Sequence, residues 1–415
     1  MRPYILMPII WFLLSLAMTT AMGQGIPPTE KKLRIDPRSA MGGQASNYLS
    51  DVNFILFDAD PKAIFGNIDQ LEITQEYYII LDRDTQSILI FNKKGKFHAR
   101  IEGTKINPQH PNFYCFCYDR DTKTIRFDIG DEVCEFDLAG KLLKRKKIIF
   151  SEYKGVELYL GGGYFGSYMY SPMNPYVKRD SMAYQVMVFN RNNRVTSSYL
   201  PYATGIPYND SQASQPVIDM TRDAGDKDTL HFARDYDYRI YRLTRDKLTV
   251  PYEFIFPANS SLPDNFRTDS LFNGKRQQFF STNKSLIFKL GSFYTDKERI
   301  LFRTLTHSFN NPTYIYDLNS GKLIGFDDIV SDESTYFLPI TDREVGGADF
   351  LNHGIIASDG ESFYTSYSSG VLFYQFDATK AKHPQYPEYL KSYFAKKANK
   401  KGNPVLVQFK LKDRI

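Results

Sequence analysis

The chain is poor in the residues from which catalytic and metal centres are usually built. Its three cysteines, Cys115, Cys117 and Cys134, fall short of a disulfide framework. Cys115 and Cys117 stand two apart in one strand-like run, residues 113–118, and so point to one face. Cys134 falls two strands later, too far to bridge across the strand between. Buried free thiols are expected. No histidine or second cysteine pair joins them at metal-ligand spacing, so no metal or other cofactor is implied. The six histidines are scattered, one to a segment. Gly-x-Ser-x-Gly, His-Glu-x-x-His, Cys-x-x-Cys and the phosphate-cradling Gly-x-x-x-x-Gly-Lys are all absent. Ser-x-x-Lys occurs at residues 151–154 and 281–284, a pattern short enough to arise by chance.

An excess of one charge is missing too. Lys and Arg number 52 against 47 Asp and Glu, a net charge of +5, and the basic residues are dispersed. A nucleic-acid groove needs a clustered basic stripe, so nucleic acid is excluded as a partner. The short run Lys396, Lys397, Lys400 and Lys401 reads as a solvated helix end. Long apolar runs are confined to residues 5–17, broken by Pro8 and Ser15. Arg2 precedes that run, and Ala21-Met22-Gly23 follows with small residues before Gln24. This is the pattern of a secretory signal over 1–23, and the run is short for a membrane span. No cysteine follows it until Cys115, which excludes a lipid-modified cysteine at this site. The expectation is an exported protein, periplasmic or extracellular, not a lipoprotein, with no integral membrane span after cleavage. Its single tryptophan, Trp11, would leave with the signal.

What the chain does have is a repeat. Six times an aromatic residue at a strand end enters a polar turn and mostly leaves through a basic residue. The copies begin at Phe91, Phe136, Phe189, Tyr241, Tyr316 and, in a worn form, Phe376. Strand-rich units of this size suggest propeller blades. The 32 phenylalanines and 30 tyrosines suit packing between stacked sheets. The first unit reads as strands at 68–74, 77–82, 87–92 and 97–102, and the second at 113–118, 124–128, 132–137 and 142–150. Asp119-Arg120-Asp121-Thr122 copies Asp82-Arg83-Asp84-Thr85, and both read as side-chain-stabilised turns rather than calcium loops. The third unit takes 161–170, 183–190 and 194–200, and the fourth 229–234, 238–243 and 247–256. After an irregular insertion at 257–284 comes the fifth, at 285–294, 299–304, 313–317 and 322–326. The sixth takes 354–357, 362–367 and 371–376. A helix at 387–398 precedes a last strand at 405–412. Residues 52–57 form a strand without local partners. A bare sheet edge is a liability, so this strand is expected in the last blade beside the C-terminal strand.

The fold class is therefore all-β: a six-bladed β-propeller of four-stranded antiparallel blades, closed by N- and C-terminal strands, with one short C-terminal helix. Residues 1–23 are the signal, 24–50 an N-terminal extension and 51–415 a single propeller domain.

Three stretches carry a family resemblance. They are Asn53-Phe54-Ile55-Leu56-Phe57-Asp58 with residues 64–68, Tyr77–Asp82 with residues 88–97, and Asn403-Pro404-Val405-Leu406-Val407 with Phe409-Lys410. In order and spacing the chain resembles the six-bladed propeller family of exported Bacteroidota proteins. The resemblance implies fold and export, not chemistry. Members of that family often carry a Gly-rich, Gly-Pro-Gly-Glu-like turn between the first two blades. Here that place holds residues 102–111, without the motif. Asp180-Ser181-Met182, Asp228-Thr229-Leu230 and Asp269-Ser270-Leu271 look like the O-glycosylation acceptor pattern of such proteins, and turn residues explain them equally well.

For function, the sequence favours a binding or interaction module, not an enzyme, with a glycan or peptide at the axial face. Gly161-Gly162-Gly163 followed by Tyr164, Phe165, Tyr168 and Tyr170 is the first ligand-binding candidate: a rim with exposed rings, or else an inner strand with its rings in the core. The insertion at 257–284 is the second. His231, His307 and His353 lie on segments that a propeller sends toward its axis, and would form a metal or acid–base trio if gathered there. The alternatives are a propeller lyase or hydrolase acting on glycans or peptides, and an envelope scaffold with a protein partner.

Overall fold

The computed structural model describes residues 26–147, 156–168, 184–192, 194–201, 220–222, 227–296, 298–308 and 310–413. The signal segment, residues 151–154, Tyr170 and Asp180-Ser181-Met182 lie outside them.

Six sheets, each with four antiparallel strands, follow one another along the chain in a propeller-like fold. The first holds Gln70–Ile73, Tyr77–Asp82, Ser87–Asn92 and Phe97–Glu102. The second holds Cys117–Asp119, Thr124–Ile129, Glu132–Asp137 and Leu142–Lys147. The third holds Val156–Gly161, Tyr164–Tyr168, Tyr184–Asn190 and Val195–Pro201. The fourth is Met220–Arg222, Leu230–Ala233, Arg239–Leu243 and Leu248–Ile255. The fifth is Ile287–Asp296, Arg299–Thr306, Thr313–Asp317 and Leu323–Val330. The sixth runs in the order Ala357–Ser358, Phe363–Tyr367, Val405–Leu411 and Leu49–Ile55.

The pairing expected from the bare N-terminal edge is present. Leu49–Ile55 lies antiparallel to Val405–Leu411, with Phe54 opposite Val407. Residues 24–50 also do more than precede the fold. Thr29–Arg34 adds a parallel strand to the outer edge of the fourth sheet, and Met41–Gln44 one to the fifth.

The middle strands are apolar on both faces because apolar side chains of one sheet pack against those of the next. Ile79–Leu81 and Ile88–Phe91 are fully buried, whereas Leu142–Lys147, an outermost strand, is exposed throughout. Six of the apolar clusters draw on two successive sheets. Ile79 and Ile90 pack with Phe127 and Phe136, and Phe165 and Phe189 with Cys117. Val186 and Val188 pack with Phe232 and Leu243, Phe254 with Phe302, and Ile315 with Phe363 and Phe409. Tyr364 and Leu406 of the sixth sheet join Tyr78 and Leu89 of the first. The cysteines carry free thiols, and Cys117 and Cys134 are buried.

Four of the six copies of the repeated turn, all but those at Tyr241 and Phe376, share one local cause. The Asn or Asp that follows the aromatic residue accepts hydrogen bonds from main-chain N–H groups two to four residues on. Asn92 accepts from Lys94 and Lys96, Asp137 from Ala139 and Lys141, Asn190 from Asn192 and Arg194, and Asp317 from Asn319 and Ser320. The glycines close the turn at φ +73° (Gly95), +78° (Gly140) and +71° (Gly321), where a Cβ is disfavoured. Two of them make a discriminating pair. A Cβ on Gly95 would lie 2.1 Å from the Leu56 carbonyl oxygen, whereas on Gly321 the nearest atom is the Tyr316 hydroxyl at 3.8 Å. Gly321→Ala should cost only the backbone term, about 1 kcal/mol. Gly95→Ala should cost about 1–2 kcal/mol more, because the closing strand of the sixth sheet must shift. Urea unfolding of the two variants checks this, and equal costs would contradict it.

The sixth unit corrects the sequence reading. Residues 371–376 are not a strand but part of the helix Ser369–Ala378, so the worn sixth repeat lies at a helix end. Ser368 caps it by accepting from the Val371 N–H, and Leu372 and Phe373 pack against Leu390 and Phe394 of a second helix, Glu388–Phe394. The sheet takes Val405–Leu411 as its third strand instead. The single expected helix is joined by others, among them Arg276–Thr282 and Asp349–His353. Within the insertion, Arg276 is fully buried and donates to the carbonyls of Phe266, Arg267 and Asp269. It thereby holds a small aromatic core around Phe266.

Candidate functional site

In an antiparallel sheet whose strands follow in order, the first and third connections lie at one end and the second and the exit at the other. Described residues from the first connections of four sheets line one cavity of about 700 Å³. The helix-bearing connections, residues 256–286, 331–356 and 368–404, are exits or second connections and leave from the other ends.

Each wall is set by its turn. From the first sheet come Thr74 and Gln75, and Thr74 Oγ1 accepts from the N–H groups of Glu76 and Tyr77. Lys93, from that sheet's third turn, places Nζ 4.2 Å from the centre of the Tyr78 ring, a cation–π contact. Burial lowers the pKa of Lys93, with Asp359 opposing part of the shift. Burial, then Asp359, pushes the Tyr78 phenol up to about 12. From the second sheet come Tyr118 and Arg120. Asp119 between them accepts from the Asp121 N–H at 3.0 Å and from two nitrogens of Arg191, each at 2.9 Å, which locks the turn. Arg120 donates to the Lys227 carbonyl at 2.6 Å and to Asp228 Oδ1 at 2.7 Å, joining the second sheet to the fourth. From the sixth come Ser358, Asp359 and Glu361. Asp359 Oδ1 accepts from the N–H groups of Glu361 and Ser362, and Oδ2 from the Tyr364 hydroxyl at 2.6 Å. Gln408 on the closing strand donates to that hydroxyl from 3.0 Å. Burial first, and then Asp359, raise the Tyr364 pKa.

The residues singled out from sequence lie elsewhere. Gly161 ends the strand Val156–Gly161 and, with Gly162 and Gly163, makes the first turn of the third sheet, at φ +90°, +58° and +78°. A Cβ on Gly161 would strike the Asp228 carboxylate at 2.3 Å, so glycine lets the two turns meet beside Arg120. Phe165 and Tyr168 are not exposed rings. They are buried between sheets, Phe165 against Tyr159 and Phe189, and Tyr168 against Phe232. Tyr164 is half-buried beneath the Arg245 guanidinium. The histidines occupy three different neighbourhoods. His231 lies on Phe293, and His307 packs against Phe280 and Phe288, where burial lowers its pKa. His353 ends its helix beside a hollow of about 30 Å³, near Asn67 and Pro404. Among the described residues no three His, Cys, Asp or Glu side chains are grouped to hold a metal ion. Thr229, in one acceptor-like tripeptide, is fully buried.

The sequence reading missed Lys93, Arg120, Lys227, Asp359 and Glu361. Each stands in or beside a turn whose polar residues already had a local explanation. The signal that finds them is positional: four of the five belong to first connections, the places in each unit that share one end of the fold.

Among the described residues no helix is long and apolar enough to cross a membrane. No curated protein sequence matches the chain. Among solved structures, one of a Bacteroides fragilis protein named "Putative exported protein" shares 12% identity at a TM-score of 0.65 and covers 92% of this chain and 100% of its own. A member of the DUF4221 family from Bacteroides vulgatus shares 11% identity at a TM-score of 0.46, covering 87% and 98%. A streptogramin B lyase shares 10% identity at a TM-score of 0.35, covering 68% and 74%. A family profile described as a domain of unknown function, DUF4934, matches residues 33–410, nearly the whole of the described fold, and the chain belongs to that family.

Proposed function

We propose that the six sheets are the blades of a closed six-bladed propeller, that residues 1–23 direct export to the periplasm or cell exterior, and that the protein is a binding module. Its ligand, a glycan or a peptide, enters the cavity along the propeller axis. Closure is supported by the apolar cluster that the sixth sheet shares with the first and by the pairing of Leu49–Ile55 with Val405–Leu411. Export is supported by the signal pattern and by the name of the B. fragilis relative in structure. One observation carries the binding reading: first turns from four sheets converge on one cavity of about 700 Å³, within the range of small-ligand sites. Nearby carboxylates are committed to structure, Asp119 to Arg191 and Asp359 to its own turn. That leaves cations, hydroxyls, amides and the exposed Glu361 facing the space, a lining suited to holding a polar ligand.

A thermal-shift screen of residues 24–415 against glycans, peptides and divalent metals tests this. A ligand that binds only the native state raises Tm with the logarithm of its concentration. The expected result is a shift with a glycan or a peptide, abolished by Arg120→Met and without turnover. Turnover, or a metal shift that EDTA reverses, would replace the reading with an enzyme. No shift with any ligand would favour the scaffold.

A further inference from the structure

We propose that the cavity is selective for an acidic oligosaccharide, a short glycan bearing carboxylates, held by Lys93 and Lys227. This rests on the binding reading above and adds the class of ligand.

Five charged side chains line the cavity, and they are not equivalent. The two acids are already engaged. Asp359 is held by two N–H groups and the Tyr364 hydroxyl, and the exposed Glu361 lies 3.5 Å from Lys410 Nζ. Of the cations, Arg120 is already paired with Asp228, whereas Lys93 and Lys227 are less fully met. Lys93 faces the Tyr78 ring, and its ammonium is partly withdrawn from water, which favours the neutral amine. An anion arriving there restores what burial removes. Lys227 is exposed at the rim, and only its main-chain carbonyl is used, by Arg120. Lys93 and Lys227 are therefore the cations of the lining that no carboxylate hydrogen-bonds, and an anionic group of a ligand would meet them there.

The rest of the lining separates sugars from peptides. Thr74, Gln75 and Ser358 offer hydroxyl and amide groups that both donate and accept, as sugar hydroxyls require. The apolar lining is Ile73 and one ring, Tyr118, which gives a stacking surface but no pocket for a peptide side chain. The volume suits a few sugar residues rather than a long polymer.

Calorimetric titration of residues 24–415 with trigalacturonate, triglucuronate, a neutral trisaccharide and triglutamate tests the assignment. At least one uronate should bind, roughly tenfold or more tighter than the neutral sugar and triglutamate, and should weaken as salt rises. Lys93→Gln should lose about tenfold of that affinity and Lys227→Gln a few fold, with Lys93→Arg retaining most of it. Unliganded melting temperatures within about 2 °C of the parent show that these variants fold. Equal binding of the neutral sugar, failure of both uronates, or an unchanged Lys93→Gln affinity would overturn the acidic class while leaving an axial binding module intact. Preference for triglutamate would replace the glycan with a peptide. If the wider thermal-shift screen also finds no ligand, the binding reading itself falls.

Discussion

Truncating Leu33 and Ile35 together to alanine should lower the unfolding free energy by about 4 kcal/mol or more. Both belong to the stretch that precedes the first sheet, where a sequence of mostly charged and polar residues suggests a dispensable arm. Yet both are buried, Leu33 opposite Phe254, and they sit in one cluster with Ile240, Phe256 and Phe302. Each truncation deletes apolar surface and leaves a cavity, at about 2–5 kcal/mol. Because the two share neighbours, their costs will not add cleanly. The Ile35 N–H also donates to the Ile255 carbonyl, so a loosened strap uncovers the edge of Leu248–Ile255 and invites association between chains. Lys31→Ala with Lys32→Ala is the control. Both are exposed, and the Lys32–Glu253 pair at 3.5 Å is a surface salt bridge, so the loss should stay within about 1 kcal/mol. Urea unfolding with light scattering reads both effects. A loss below about 1 kcal/mol for the double truncation would mean that the strap lies on the fold without supporting it.

Asp237→Ala should be comparably severe, at about 3–5 kcal/mol. Its carboxylate is almost wholly buried and is the common acceptor for three groups. Arg239 contacts it at 2.7 and 3.0 Å, the Tyr241 hydroxyl at 2.7 Å and Arg267 at 3.3 Å, with Arg234 at 3.9 Å. Removing it leaves the buried Arg234 and the part-buried Arg239 and Arg267 guanidinium groups with no anion between them. Arg267 comes from the insertion and Arg239 from the fourth sheet, so the variant should also free the insertion for proteolysis near residues 257–275. Asp237→Asn keeps shape and part of the hydrogen bonding but not the charge, and should fall between parent and alanine. If asparagine matches the parent, hydrogen bonding rather than charge holds the hub.

Much of this fold could be read because its rules are local. The turns at Asn92, Asp137, Asn190 and Asp317 use a side chain and a main chain a few residues apart, so the repeat was visible without any partner strand. The closing strand was found from the cost of leaving residues 52–57 unpaired. Three elements resisted, each for a non-local reason. Thr29–Arg34 has no apolar alternation, and its partner lies more than two hundred residues away. Val371-Leu372-Phe373-Tyr374 is as apolar as a buried strand, and only packing against Glu388–Phe394 decides for helix. Met220–Arg222 is so short that pairing with Leu230–Ala233 is what defines it. For the site, Tyr164–Tyr168 drew attention because aromatic residues are conspicuous, yet in a stack of sheets they are the natural filling. Arg120 and Lys93 look like ordinary turn residues until four turns are brought to one place.

The pairing of Leu49–Ile55 with Val405–Leu411 also sets a clock. The strand near the start of the chain lacks its sheet until the last strand has been synthesised. The loop that must close spans some 350 residues, and its entropy is lost before the contacts repay it. The first five sheets can pack progressively as they emerge, but the sixth must wait. A ribosome-stalled or C-terminally nicked product would therefore hold most of its sheets and still present an open seam, with Phe54 and Tyr364 uncovered.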